Sequence, residues 1–165
     1  MKHAALCLLL MLFASCSQKS DADLFREGSA AEEKKDIPLA LSLYGEAVDR
    51  FPATAYAESS QYRIAMILMN AEGEKRPAVD AQMKFFTMFP SSRRAPGMLF
   101  LAAFTYNNDL HNLDSAKLLY ELFLAKYPGD EMAASASFEL RTLGRSPEEV
   151  IGAPRAGDTA KTAAP

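Results

Sequence analysis

Along residues 112–128, NLDSAKLLYELFLAKYP, apolar and polar positions alternate with the spacing of a single amphipathic helix. The stretch closes on an aromatic residue followed by proline. The same stop occurs at Phe51-Pro52 and at Phe89-Pro90, so the three stops are separated by two intervals of 38 residues. Twelve positions before each proline stand Ala40, Ala78 and Ala116. Five positions after it stand Ala57, Ala95 and Ala133, and ten after it Tyr62, Phe100 and Phe138. Agreement at several offsets over three copies marks a stacked helical repeat, which has to be recognised before any motif is read. Alanine on an apolar face lets two helix backbones approach closely. Proline cannot continue a helix and forces the turn.

The periodicity and the stop signals predict seven helices, over about 24–35, 36–51, 53–70, 76–89, 92–106, 113–127 and 130–143. Asp36 is the expected N-cap of the second, with Pro38 in its first turn, and Asn112 or Asp114 of the sixth. Gly73 and Gly144 stand where helices stop in left-handed geometry. Gly28 lies inside the first helix, where it costs about 1 kcal/mol relative to alanine, so a packing reason is expected. Ser146-Pro147-Glu148-Glu149 opens at most one further turn. The rest of 146–165 is rich in Ala, Pro, Gly and Thr without periodicity and reads as a disordered tail.

Residues 1–15 stand apart from this pattern. Lys2 and His3 precede an unbroken apolar run of ten residues, 4–13, too short to span a bilayer as a mature helix and followed by small residues. They read as a secretory signal. Phe13-Ala14-Ser15-Cys16 resembles the bacterial lipobox, with Phe13 where Leu is usual. That resemblance makes Cys16 a lipidated first residue and 16–22 a polar tether. Cys7 leaves with the signal, so Cys16 has no disulfide partner. By resemblance to enterobacterial lipoproteins, Ser17 rather than Asp implies an outer-membrane destination.

Within 23–145, Ala40, Tyr44, Ala47 and Pro52 match the second-helix signature of the tetratricopeptide (TPR) repeat. Ala116, Tyr120, Phe123 and Pro128 repeat it. Ala78, Gln82, Phe85 and Pro90 do so with Gln82 in the aromatic place. The first-helix small residues are then Gly28, Ala65 and Ala103. The TPR unit is about 34 residues long; the 38-residue unit with an aromatic–proline stop resembles TPR lipoproteins of bacterial envelopes, of the barrel-assembly (BamD) and Tol–Pal-associated (YbgF) types. The resemblance implies an all-α, right-handed α-solenoid of three TPR-like helix pairs plus a C-terminal capping helix. It also implies lipid anchoring in the outer membrane facing the periplasm, and protein or peptide partners from the envelope. In such arrays the first helix of each pair lines the concave face. The family's groove places fall on Tyr62, Met66 and Met69, and on Phe100, Phe104 and Asn107. Each set lies on one helical stripe. Tyr62 and Phe100 recur with Phe138, and a recurring aromatic also reads as core between units. Met66, Met69, Phe104 and Asn107 fit adaptable contact to a partner.

Composition narrows the function further. Lys plus Arg (18) against Asp plus Glu (21) gives a net charge of −3 over 165 residues. There is no basic stripe, so nucleic acid is not an expected partner. Outside the signal His111 is the single histidine, in a predicted loop away from any cysteine, and reads as a turn residue rather than a ligand. No phosphate loop, H-E-x-x-H or G-x-S-x-G occurs. No metal, cofactor or catalytic residue is expected, and the chain reads as a binding protein, not an enzyme. Two functions fit: a scaffold subunit of an outer-membrane assembly or maintenance complex, or an exported solenoid that binds a small ligand or glycan fragment in its concave face.

Overall fold

Three aromatic residues end three helices with the same backbone geometry. Phe51 (φ −132°, ψ 51°), Phe89 (φ −124°, ψ 56°) and Tyr127 (φ −130°, ψ 53°) are the C-caps of α2 (Ile37–Arg50), α4 (Arg76–Met88) and α6 (Leu113–Lys126). The proline after each one excludes the helical region for the residue before it. Each cap N–H still donates to the carbonyl four residues back, on Ala47, Phe85 and Phe123. Each cap carbonyl then accepts from the residue three ahead: Thr54 (3.1 Å), Ser92 (3.0 Å) and Asp130 (3.1 Å). The 38-residue period of the sequence is thus a period of backbone conformation as well.

These helices belong to a computed structural model that describes residues 18–73, 75–145 and 149–150. The remaining helices are α1 (Asp21–Glu33), α3 (Ala55–Asn70), α5 (Ala95–Asn108) and α7 (Ala133–Thr142). The described residues form seven helices and no strand. Each helix packs against the one before and the one after it, and α1 also touches α3. The signal, Cys16 and most of the tail lie outside the described residues. No helix among those described is long and apolar enough to cross a membrane.

Local chemistry sets the helix ends. α1 starts at Asp21 rather than Leu24, because Ser20 and Asp23 form a capping box: each side chain satisfies the other's backbone N–H. It stops at Glu33, two residues before the expected end, and Lys35 turns left-handed at φ 62°. Asp36 caps α2 by accepting from the Leu39 N–H, 3.2 Å. Asn112, not Asp114, caps α6 by accepting from the Ser115 N–H, 3.0 Å. Thr54 caps α3. At the far end of α3 the Lys75 ammonium donates to the Met69 carbonyl, 3.0 Å, and to the Ala71 carbonyl, placing a cation on the negative end of the helix dipole.

The apolar core is a series of clusters, each drawn from helices close in sequence. Leu24, Leu43 and Ala47 join α1 to α2. Ala65, Ala81, Phe85 and Met98 join α3, α4 and α5. Val79, Leu99, Ala103, Ala116, Tyr120, Phe123 and Ala136 join α4 to α7. The small signature residues Ala40, Ala65, Ala78, Ala103 and Ala116 are fully buried, as are Tyr44 and Tyr120, while Pro52, Pro90 and Pro128 are exposed at the turns. Gly28 has the packing reason expected of it. A methyl group there would sit 2.8 Å from Cε1 and 2.9 Å from Cδ1 of Tyr44. α5 shows almost no polar face because α4 and α6 cover it from two sides.

Candidate partner-binding groove

The expected groove residues sit on α3 and α5, which both pack against α4. On α3 the side turned inward is set by Ala57, Ser60, Gln61 and Ala65. Tyr62 is half-buried, edge-on to Phe85 of α4 with ring centroids 6.3 Å apart. Its other face lies under the Arg94 guanidinium, 4.7 Å from the ring centroid. Arg94 also meets the Glu58 carboxylate at 3.4 Å, and that carboxylate accepts from Ser92 Oγ at 2.8 Å. The guanidinium, itself paired with Glu58, therefore covers the Tyr62 ring. Met66 packs at the edge of the cluster that holds Ala65, Phe85 and Met98, together with Tyr62 and Leu101. Met69 is partly buried near the C-terminus of α3, where its carbonyl receives Lys75.

On α5, Phe100 meets Tyr120 (5.7 Å) and Phe123 (6.0 Å) of α6 edge-on and stacks on Phe104 at 6.4 Å. Phe104 is 39% exposed, the most open of the six side chains. Asn107 is one turn further on. It lines a cleft of about 430 Å³ with Asn108, His111, Leu113, Gly144 and Arg145. His111 is at a turn, with φ 48°. Tyr62 and Met66 are thus brought into one cluster and Phe100 and Phe104 into one stack, while Asn107 faces a separate polar cleft. The third recurring aromatic, Phe138, is 47% exposed. Phe85 covers Tyr62 and Phe123 covers Phe100, but no helix of comparable length comes after α7 among the described residues.

A second apolar opening lies between α1 and α3, where the sequence pattern gave no groove position. Phe25 and Tyr56 face each other with ring centroids 5.6 Å apart. With Ala22, Arg26, Ser29 and Glu33 they line a cleft of about 520 Å³. Ser29, which lines the cleft, also belongs to a polar network beside it. Tyr44 Oη donates to Glu32 Oε2 at 3.0 Å and lies 3.1 Å from Ser29 Oγ, while Arg63 clamps the Glu32 carboxylate through Nε at 2.9 Å and through Nη2. Burial, with the nearby Glu32 carboxylate, pushes the Tyr44 hydroxyl above its ordinary range. The bond to Glu32 raises the Arg63 guanidinium. The available signal was Phe25 one turn before Gly28. It was masked by a one-residue shift: Gly28 precedes Tyr44 by 16 residues, whereas Ala65 precedes Gln82 and Ala103 precedes Tyr120 by 17.

No group of His, Cys, Asp and Glu among the described residues is arranged to hold a metal ion. No model of a known protein family matches the chain, and no curated protein matches it.

Proposed function

We propose that this chain is a TPR-type protein-interaction scaffold of the bacterial cell envelope, held in the outer membrane by a lipid on Cys16. In this reading the helices form an α-solenoid of three pairs, closed by α7, with the first helix of each pair facing a partner from an envelope assembly. The observation that carries it is the threefold recurrence of one C-cap geometry at Phe51, Phe89 and Tyr127. It repeats the same turn between successive helices every 38 residues. Uniform turns between stacked pairs are what a quasi-one-dimensional array requires. The open Phe100–Phe104 stack and the Phe25–Tyr56 cleft, both on first helices, supply apolar contact at which a peptide segment gains area.

The cleft between α1 and α3 also favours the second reading, a small ligand or glycan fragment, since its volume lies in the range of small-molecule sites, about 300–1,000 Å³. The two readings separate in one pair of measurements. Crosslinking in living cells with mass-spectrometric readout should recover an envelope protein in stoichiometric yield. A ligand reading instead requires a rise in melting temperature with added sugar or metabolite, and no such protein. For the anchor, Cys16→Ser should release much of the protein from the membrane fraction into the soluble one. Unchanged detergent-phase partitioning of that variant contradicts lipid anchoring.

A further inference from the structure

The three turns that follow the aromatic caps share one backbone geometry but differ in charge. Residues 89–94, FPSSRR, include two arginines, and residues 127–132, YPGDEM, include two acids. Residues 51–56, FPATAY, carry no charged side chain. Pro52, Ala53, Ala55 and Tyr56 are all exposed there. Two of the three copies carry charge, so the backbone of the turn does not demand an uncharged sequence. The connections at the opposite ends of the same helices are charged as well. Glu33, Lys34, Lys35 and Asp36 lie between α1 and α2, and Glu72, Lys75 and Arg76 lie where α3 passes into α4.

The uncharged turn is also the one beside which the chain enters the fold. Arg50, the last residue of α2, donates from Nη2 to the Lys19 carbonyl at 3.0 Å. Lys19 pairs with Glu27, and Ser20 is held in the capping box with Asp23. The backbone is thus fixed to the end of α2 from residue 19 onward. Phe25, one turn into α1, meets Tyr56 at the start of α3, so the start of α1, the end of α2 and the start of α3 share one end of the molecule. From Cys16 to Lys19 the chain reaches at most ~11 Å, three residues at full extension. We propose that in the anchored protein this end rests on the membrane, with residues 51–56 among the lipid headgroups. The proposal rests on the reading that Cys16 carries the lipid. A turn without charge costs little to bring to the interface, and an exposed tyrosine suits it, with an apolar ring and a polar tip. The charged connections stand at the far ends of α1 and α3, about 20–24 Å away for helices of 13 and 16 residues, and stay in water. Lys19, Arg26 and Arg50 at this end are each paired with a carboxylate, so the contact depends on the anchor rather than on attraction to anionic lipid. α3 then carries Tyr62, Met66 and Met69 away from the lipid, and a partner over them lies above the membrane surface.

Fluorescence quenching of the mature lipidated chain in phosphatidylcholine vesicles tests it, with a spin label on a fraction of the lipid headgroups as quencher. A thiol-reactive fluorophore is placed in turn on Ala53→Cys, Lys34→Cys and Glu72→Cys, each checked for unchanged circular dichroism. Acylation of Cys16 is confirmed by mass spectrometry. Quenching at position 53 should exceed that at positions 34 and 72 at least several-fold. Inserting 20 Gly and Ser residues between Gln18 and Lys19, a flexible span of about 25 Å, should bring position 53 down to the level of the other two. A lipidated chain whose three labels are quenched alike, or in which the insertion changes nothing, overturns the proposal and leaves the anchor standing. An unmodified Cys16 overturns the anchor and the membrane contact together.

Discussion

Gly28 and Tyr44 set how closely α1 approaches α2. The Tyr44 ring is fully buried and its hydroxyl is tied to Glu32 and Ser29, so it has little room to move away from an added methyl group. Gly28→Ala gains about 1 kcal/mol of helix propensity but overpacks the site, at a cost of about 1–3 kcal/mol. The expected outcome is a lower urea midpoint. The opposite sign is expected at Gln82, which takes the place of Tyr44 and Tyr120. It is fully buried, and neither its amide nitrogen nor its oxygen has a hydrogen-bond partner among the described residues. Gln82→Met keeps the length and removes the buried amide, so it should raise the midpoint by the equivalent of about 1–3 kcal/mol. Tyr120 gives a third test. Burial, with Glu139 nearby, pushes its hydroxyl well above the ordinary tyrosine range. A raised folded-state pKa means that the stabilisation is complete below about pH 10, the unfolded value, and is lost as pH climbs beyond it. Stability should therefore fall in the alkaline range, and Tyr120→Phe should flatten that fall in denaturation series at increasing pH.

At the scale of the element, the aromatic–proline stops and the Asp36 and Asn112 caps were legible because each acts within one turn of its own helix, and the buried alanines because they recur at one offset from the stops. Ala78→Leu or Ala116→Leu should each destabilise by about 1–3 kcal/mol, since both alanines are fully buried; an unmoved denaturant midpoint in both would contradict the repeat register. The early start of α1 was also local, in Ser20 and Asp23, but its cap Ser20 lay in a stretch read as tether. What the pattern could not give was contact across helices. Whether Tyr62 faces a partner depends on Arg94, which arrives from the start of α5. The Phe25–Tyr56 cleft needs two rings from helices with an intervening α2 between them. Phe138 shares the register of Tyr62 and Phe100 but is more exposed. Among the described residues no helix of comparable length follows α7, whereas α4 covers Tyr62 and α6 covers Phe100.

For the whole molecule, the clusters of the core run in chain order, and each helix is held mainly by its neighbours. In the proposed solenoid such a chain would offer extended faces rather than one central pocket, as the scaffold reading requires. The central claim is that a partner lies along the first helices, over Met66, Met69 and Phe104. It is tested most directly by crosslinking mass spectrometry in cells expressing the wild type, Phe104→Lys, or Met66→Lys with Phe104→Lys, each checked for helical fold by circular dichroism. The account predicts crosslinks from one envelope protein to α3 and α5, weakened in the single variant and abolished in the folded double variant. A double variant that keeps its helical fold and every crosslink would contradict it.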